Sequence, residues 1–256
     1  MPRSLVVFTN FGANMRSESR PRPFASDDLA FLRLSHLADS ALPIGALAHS
    51  FGLESLVSAE MLKPTDLSNF LEEYLQESGM LDAAVCRSAF RLVDPQKEQF
   101  EINTWLEVND LLSALKPARE SRAASAALGR NFLSSVIKTG DYPMLLEARD
   151  AAQRAGTLVH HAAAFGLVSA VLGFGEDRGT LAYLHQVAAS FVSACQRLLS
   201  LGQTDATQIL WNLKPAIIEV ACRSKNLAVG DVSCFLPLLD WGAMQHPFLA
   251  TRLFIS

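Results

Sequence analysis

Residues 26–62 read SDDLAFLRLSHLADSALPIGALAHSFGLESLVSAEML. Two short amphipathic helices come out of this stretch, joined by the loop Ser40-Ala41-Leu42-Pro43-Ile44-Gly45. Leu29, Phe31, Leu32 and His36 recur at helical spacing, and Asp27 and Asp28 stand in the first turn, where carboxylates complement the positive end of the helix dipole. Pro43 stops this helix, and Gly45 permits a turn that a β-carbon would hinder. The second helix is expected to begin near Ser50, with Glu54 in its first turns. Leu42 and Ile44 are apolar where connecting loops are normally polar. The loop is therefore either tucked into the core or offered to a partner.

The same helical period runs outward from this stretch. Thr65 is placed to cap a helix whose stripe is Leu67, Phe70, Leu71, Tyr74 and Leu75, and Gly79 is expected to break or bend it. The stripe resumes at Leu81 and continues to Pro95. Further helices are expected at 98–115, from Pro117 through Val136, from Pro143 to Ala155, over 157–173, and from Asp177 to about Leu201. Gly202 suits the position just past a helix end, and Thr204 can cap the helix after it. No stretch alternates with period two, and no internal repeat is present. The expectation is an all-α, single helical-bundle-like domain of about ten helices over residues 26–256. Residues 1–25, with four arginines and one glutamate by residue 23, read as a flexible extension outside it.

At 256 residues the chain can bury a sizeable core, and half of its residues are apolar. The net charge of −4 gives no overall field toward nucleic acid or an anionic membrane. The longest apolar run, around Leu158 to Phe174, is interrupted by His160 and His161 and needs no bilayer. Cys86, Cys195, Cys222 and Cys234 form no Cys-x-x-Cys pair and sit in apolar stretches. They read as reduced structural cysteines of a cytoplasmic protein, with a disulfide pair as the open alternative.

Motifs for stand-alone chemistry are missing. There is no Gly-x-x-x-x-Gly-Lys-Ser/Thr phosphate loop, and the glycines of 173–179 follow a helix at a spacing wrong for dinucleotide binding. His160 and His161 as neighbours on a helix would point about 100° apart, and Ala163, Ala164 and Phe165 occupy the positions where further ligands would have to be. They read as structural histidines, and His36 with Asp39 as a local hydrogen bond. No catalytic residue and no metal ligand is assigned.

Two stretches remain as binding candidates. In Gly202-Gln203-Thr204-Asp205 a cap, turn and cap explain the glycine, threonine and aspartate, while Gln203 and Asp205 can also serve a partner. The tail from Leu238 to Phe254 is apolar without regular helical spacing. Packing on its own domain is one reading. Its content of Trp241, Met244, His246, Arg252, Leu253 and Phe254 favours the other, a docking tail, because such residues anchor interfaces.

Four segments in order carry a family resemblance. They are Ser40, Leu42, Pro43 and Gly45 with Gly52-Leu53-Glu54, then Ala164-Phe165-Gly166-Leu167, then Ser200 to Asp205 with Leu213-Lys214-Pro215-Ala216-Ile217, and last Thr251-Arg252-Leu253-Phe254. Together they resemble the urease accessory protein UreF family, with Ala46 and Leu47 standing where the family usually has glycine and an aromatic residue. The resemblance implies an all-helical, non-enzymatic assembly factor that tends to dimerise, binds UreD (UreH in some systems), recruits the GTPase UreG and helps deliver nickel into apo-urease. It implies no tightly bound cofactor, nickel being handled by the assembled complex. The residues expected at partners are Leu42, Pro43, Ile44, Gly45, Glu54, Gln203, Thr204, Asp205, Trp241, Met244, His246, Arg252, Leu253 and Phe254. Two other readings stay open: a hydrolase-like helical enzyme, which a pocket gathering Glu54, His160 and Asp205 would favour, and a generic helical interaction scaffold.

Overall fold

A computed structural model describes residues 26–94, 97 and 99–255, so the expected extension 1–25 lies outside the described residues. The helical periods become α1 (Ser26–Leu37), α2 (Leu53–Ser58), α3 (Leu67–Tyr74), α4 (Met80–Arg91), α5 (Ile102–Leu115) and α6 (Arg119–Ile137). They continue as α7 (Pro143–Ala155), α8 (His161–Val171), α9 (Glu176–Leu198), α10 (Gln203–Asn212), α11 (Lys214–Arg223) and α12 (Pro237–Gln245). The fold is all-α apart from a two-residue hairpin, in which Val93–Asp94 pairs antiparallel with Gln99–Phe100. That hairpin occupies the start of the helix expected at residue 98, and α5 begins at Ile102 instead.

The centre of the molecule is α8. All residues from His161 to Ala170 are buried, which three successive alanines and a glycine allow by bringing neighbouring backbones close. A β-carbon on Gly166 would lie 2.0 Å from the Cys86 carbonyl oxygen, so α4 crosses α8 at van der Waals distance there. α6 also packs on α8, with Phe132 stacked on Phe165 at 5.2 Å between ring centroids. Trp105 of α5, fully buried, donates its indole N–H to the Ala148 carbonyl of α7 at 3.1 Å.

Several local expectations are corrected. Gly79 does not break its helix: α3 runs into α4 through a wide π-turn at Leu75–Gly79, and Gly79 keeps helical φ and ψ of −61° and −38°. The added turn keeps Leu71, Tyr74 and Leu75 buried on one side and Met80 to Cys86 on the other. α1 turns its other face inward. Leu29, Phe31 and Leu32 are exposed, while Leu37 is buried and Ala30, Leu34 and Ala38 pack against the core. Both faces of this helix are apolar, so spacing alone does not choose between them. α2 starts at Leu53, because Phe51 and Gly52 both hold positive φ just before it.

His160 is not helical. It precedes α8 in extended conformation, with its backbone N–H donated to Asn109 Oδ1 at 2.8 Å. Its ring is held between Ser113 and Ser125, at 2.7 and 3.0 Å. Gly202 precedes α10 as its N-cap and Thr204 lies inside the first turn, so Thr204 makes no cap.

Candidate partner-docking surface

The loop after α1 alternates. Leu42 and Ile44 are buried, and Pro43, Gly45 and Leu47 between and after them are exposed. Asn131 of α6 donates to the Ile44 carbonyl at 2.9 Å, and Gly45 follows with a φ of 95° that favours glycine. The loop is thus tucked in and offered at once. Its alternate side chains anchor it, and the rest face outward.

The tail folds onto this loop. α12 turns Leu239, Gly242, Ala243 and then His246 inward, all buried. The contact with α2 is made through two glycines: a β-carbon on Gly242 would meet the Gly52 carbonyl oxygen at 2.6 Å, and one on Gly52 would meet the Leu239 oxygen at 2.7 Å. Inside this joint Glu54 collects three donors. Its Oε2 accepts from His246 Nε2 at 2.8 Å and from the Phe254 N–H at 3.2 Å, and its Oε1 accepts from the Leu253 N–H. Satisfying a buried carboxylate this fully offsets the cost of taking it out of water.

Arg197, at the end of α9, completes the connection. It donates to the Leu47 carbonyl at 2.6 Å, and its guanidinium lies 4.2 Å from the centre of the Phe254 ring. The Ile255 N–H then donates to the Ala48 carbonyl at 2.8 Å. Loop and tail therefore form one surface, on which Pro43, Leu47, Arg252, Leu253 and Ile255 are exposed. Leu253 and Ile255 show 60% and 73% of their surface, large values for apolar side chains that the backbone holds in place.

The expected partner residues thus separate. Leu42, Ile44, Glu54, His246 and Phe254 are internal, which corrects their placement at the surface; they support it from beneath. Pro43, Gly45, Arg252 and Leu253 face outward. Trp241 and Met244 lie on the outer side of α12, with Phe248 exposed just beyond. Gln203, Thr204 and Asp205 are exposed on the first turn of α10. The tail as a whole is not the loose element expected, because Leu239, Ala243 and Phe254 are buried in the chain and Glu54 holds its backbone at Leu253 and Phe254. Glu54, His160 and Asp205 are not gathered into a pocket: the first is bound to the tail, the second lies between two serines, and the third is exposed. Arg197, Leu47, Gly242 and Ile255 were missed. A cation in the last turn of a helix reads as a dipole complement, and nothing in the sequence directs Arg197 toward residue 47 or 254.

The fold and this surface define an all-helical protein that presents a built apolar loop and tail with an exposed arginine. Comparison with known proteins gives the family. A family model described as UreF matches residues 62–214. The chain is 33% identical to the urease accessory protein UreF of Nostoc sp. over 233 residues, 90% of this chain and 97% of that protein. It is 31% identical to the UreF of Bradyrhizobium sp. strain BTAi1 over 248 residues, 94% and 100% of the two chains. It is 32% identical to that of Trichormus variabilis over 231 residues, 90% and 97%. The chain belongs to the UreF family of urease accessory proteins. Among the described residues no helix is long and apolar enough to cross a membrane.

Proposed function

We propose that the chain is a non-catalytic assembly factor for urease that joins a UreD-type (UreH) accessory protein, recruits the GTPase UreG, and so helps nickel reach the apo-urease active site. Nickel is then cargo of the assembled complex. The reading includes a homodimer within that complex and a cytoplasmic location. The observation that carries it is the single surface made by loop 41–48 and residues 252–255, held from inside by Glu54 and from the side by Arg197. A pre-ordered surface loses little conformational entropy on docking.

The test is co-purification and calorimetry of the full chain with its cognate UreD-type protein, then with UreG. Arg252→Ala and Leu253→Asp alter exposed side chains and are expected to leave helicity and melting unchanged. Each should weaken assembly by about 2 kcal/mol, roughly thirtyfold in Kd. Wild-type affinity in both variants would remove this surface from the reading.

A further inference from the structure

Among the ten residues of α10, Ala206 is the one that is fully buried, and the helix is fastened to the fold through α9 and α11. At about 100° per residue, the side turned away from Ala206 is centred on Thr204, Gln208 and Trp211, flanked by Gln203, Thr207 and Asn212. All six are exposed, Trp211 by 66%, and five of them border one open groove. None carries a charge. Asp205, the one charged residue of the helix, falls at the margin of this side. Other outward helix faces are charged: α3 exposes Glu72 and Glu73, and α7 exposes Glu147 and Arg154.

The side chains on this face are already ordered. Lys214 Nζ lies 5.5 Å from the centre of the Trp211 ring, and Gln208 Nε2 donates to Asn212 Oδ1 at 2.9 Å. Gln208 keeps its acceptor oxygen and Asn212 its donor nitrogen, so the pair can bond to an identical pair facing it.

The chemistry of the face selects its occupant. A strongly charged partner would be met by opposite charge, and the face has none to offer. In a twofold contact a residue near the axis meets its own copy, so a charge there would face its like. Amides and hydroxyls carry donor and acceptor together and therefore complement themselves. Interface cores are depleted in charge and enriched in aromatic residues, as this face is. We propose that the outer face of α10, centred on Trp211, is where a second copy of this chain docks about a twofold axis. The proposal rests on the homodimer of the assembly reading and names its face, which shares no residue with loop 41–48 or residues 252–255.

The full chain is followed by sedimentation over a concentration series, alone and with its UreD-type protein. The native chain is expected to dimerise. Trp211→Glu should raise the dimer dissociation constant at least a hundredfold, because the lost contact occurs twice and like charges replace it. Gln208→Glu, nearly isosteric, should raise it at least tenfold. Both side chains are exposed, so helicity and melting of the dilute variants are expected to match the native chain. Arg252→Ala, on the other surface, should self-associate as the native chain does. A native chain that is monomeric both alone and in the complex overturns this face and the homodimer reading together. A native dimer whose affinity survives Trp211→Glu and Gln208→Glu overturns the face and leaves that reading standing. Loss of self-association in Arg252→Ala would place the contact on the other surface, and also overturns the proposal.

Discussion

Glu54 holds more of this molecule together than its size suggests. One carboxylate satisfies His246 and two backbone N–H groups from the far end of the chain. Glu54→Ala leaves three donors without an acceptor, and two of them, His246 Nε2 and the Phe254 N–H, are buried, at about 1–3 kcal/mol each where water cannot reach them. Denaturant unfolding is expected to show a loss of several kcal/mol, and Glu54→Gln, which keeps one acceptor oxygen, a smaller one. His161 makes a different residue-scale prediction. Its folded value of about 4 lies below the ordinary 6.5, so the unfolded chain takes up a proton that the folded chain refuses. This contribution is complete above about pH 6.5 and is lost as the pH falls toward 4. His160, also held at about 4 by burial, adds to the same window. Melting temperatures should fall from pH 7 to pH 4.5, and His161→Phe, among Phe132, Phe165 and Tyr183, should make that fall shallower. An unchanged slope would show that another group governs it.

At the scale of elements, the buried Arg87 joins three helices. From α4 it reaches Glu176 of α9 at 2.7 Å, the Ala221 carbonyl of α11 at 2.7 Å and Ser224 Oγ at 3.0 Å. Burial raises the Glu176 carboxyl, but hydrogen bonds from Arg91 and Arg87 outweigh it and hold the group below its ordinary 4.5. Stability from this group is present above about pH 4.5 and lost as pH falls through the lower folded value. Glu176→Gln should therefore flatten the acid limb of the melting profile below pH 4.5 while leaving the histidine limb above it. The α2–α12 joint is the second element-scale case. Gly242→Ala places a methyl 2.6 Å from the Gly52 carbonyl, and two backbones rather than a flexible side chain would have to move. Hydrogen exchange of Leu253 and Phe254 should then accelerate by at least tenfold, because their amides are bonded to Glu54 on the other side of that joint.

For the whole molecule, the C-terminal segment is both part of the core and part of the outer surface. Deleting residues 238–256 removes buried Leu239, Ala243, His246 and Phe254 and uncovers α2. At about 1.5–3 kcal/mol for each large apolar side chain, this is a substantial share of a domain's stability. The truncated chain is expected to melt far lower or to aggregate. Loss of partner binding by truncation would thus report unfolding. Point changes at exposed Arg252 and Leu253 report docking itself.

Helix positions followed from the sequence because period and punctuation are local: Pro143 and Gly156 bound α7 where the sequence places its ends. The four family segments were legible for the same reason, as contiguous residues. What the sequence left open was direction. α1 and α12 each carry two apolar faces, and only packing against α9 and α2 decides which is buried. The tail looked aperiodic because its inner residues, Leu239, Gly242, Ala243 and His246, and its outer ones, Trp241, Met244 and Phe248, overlap in one run. Glu54 read as a surface contact for a related reason. Its three donors lie 192 to 200 residues away, and no local pattern encodes a partner at that distance. Local periodicity determined which segments are helices; burial, which depends on every segment at once, decided which face and which polar group lie inside.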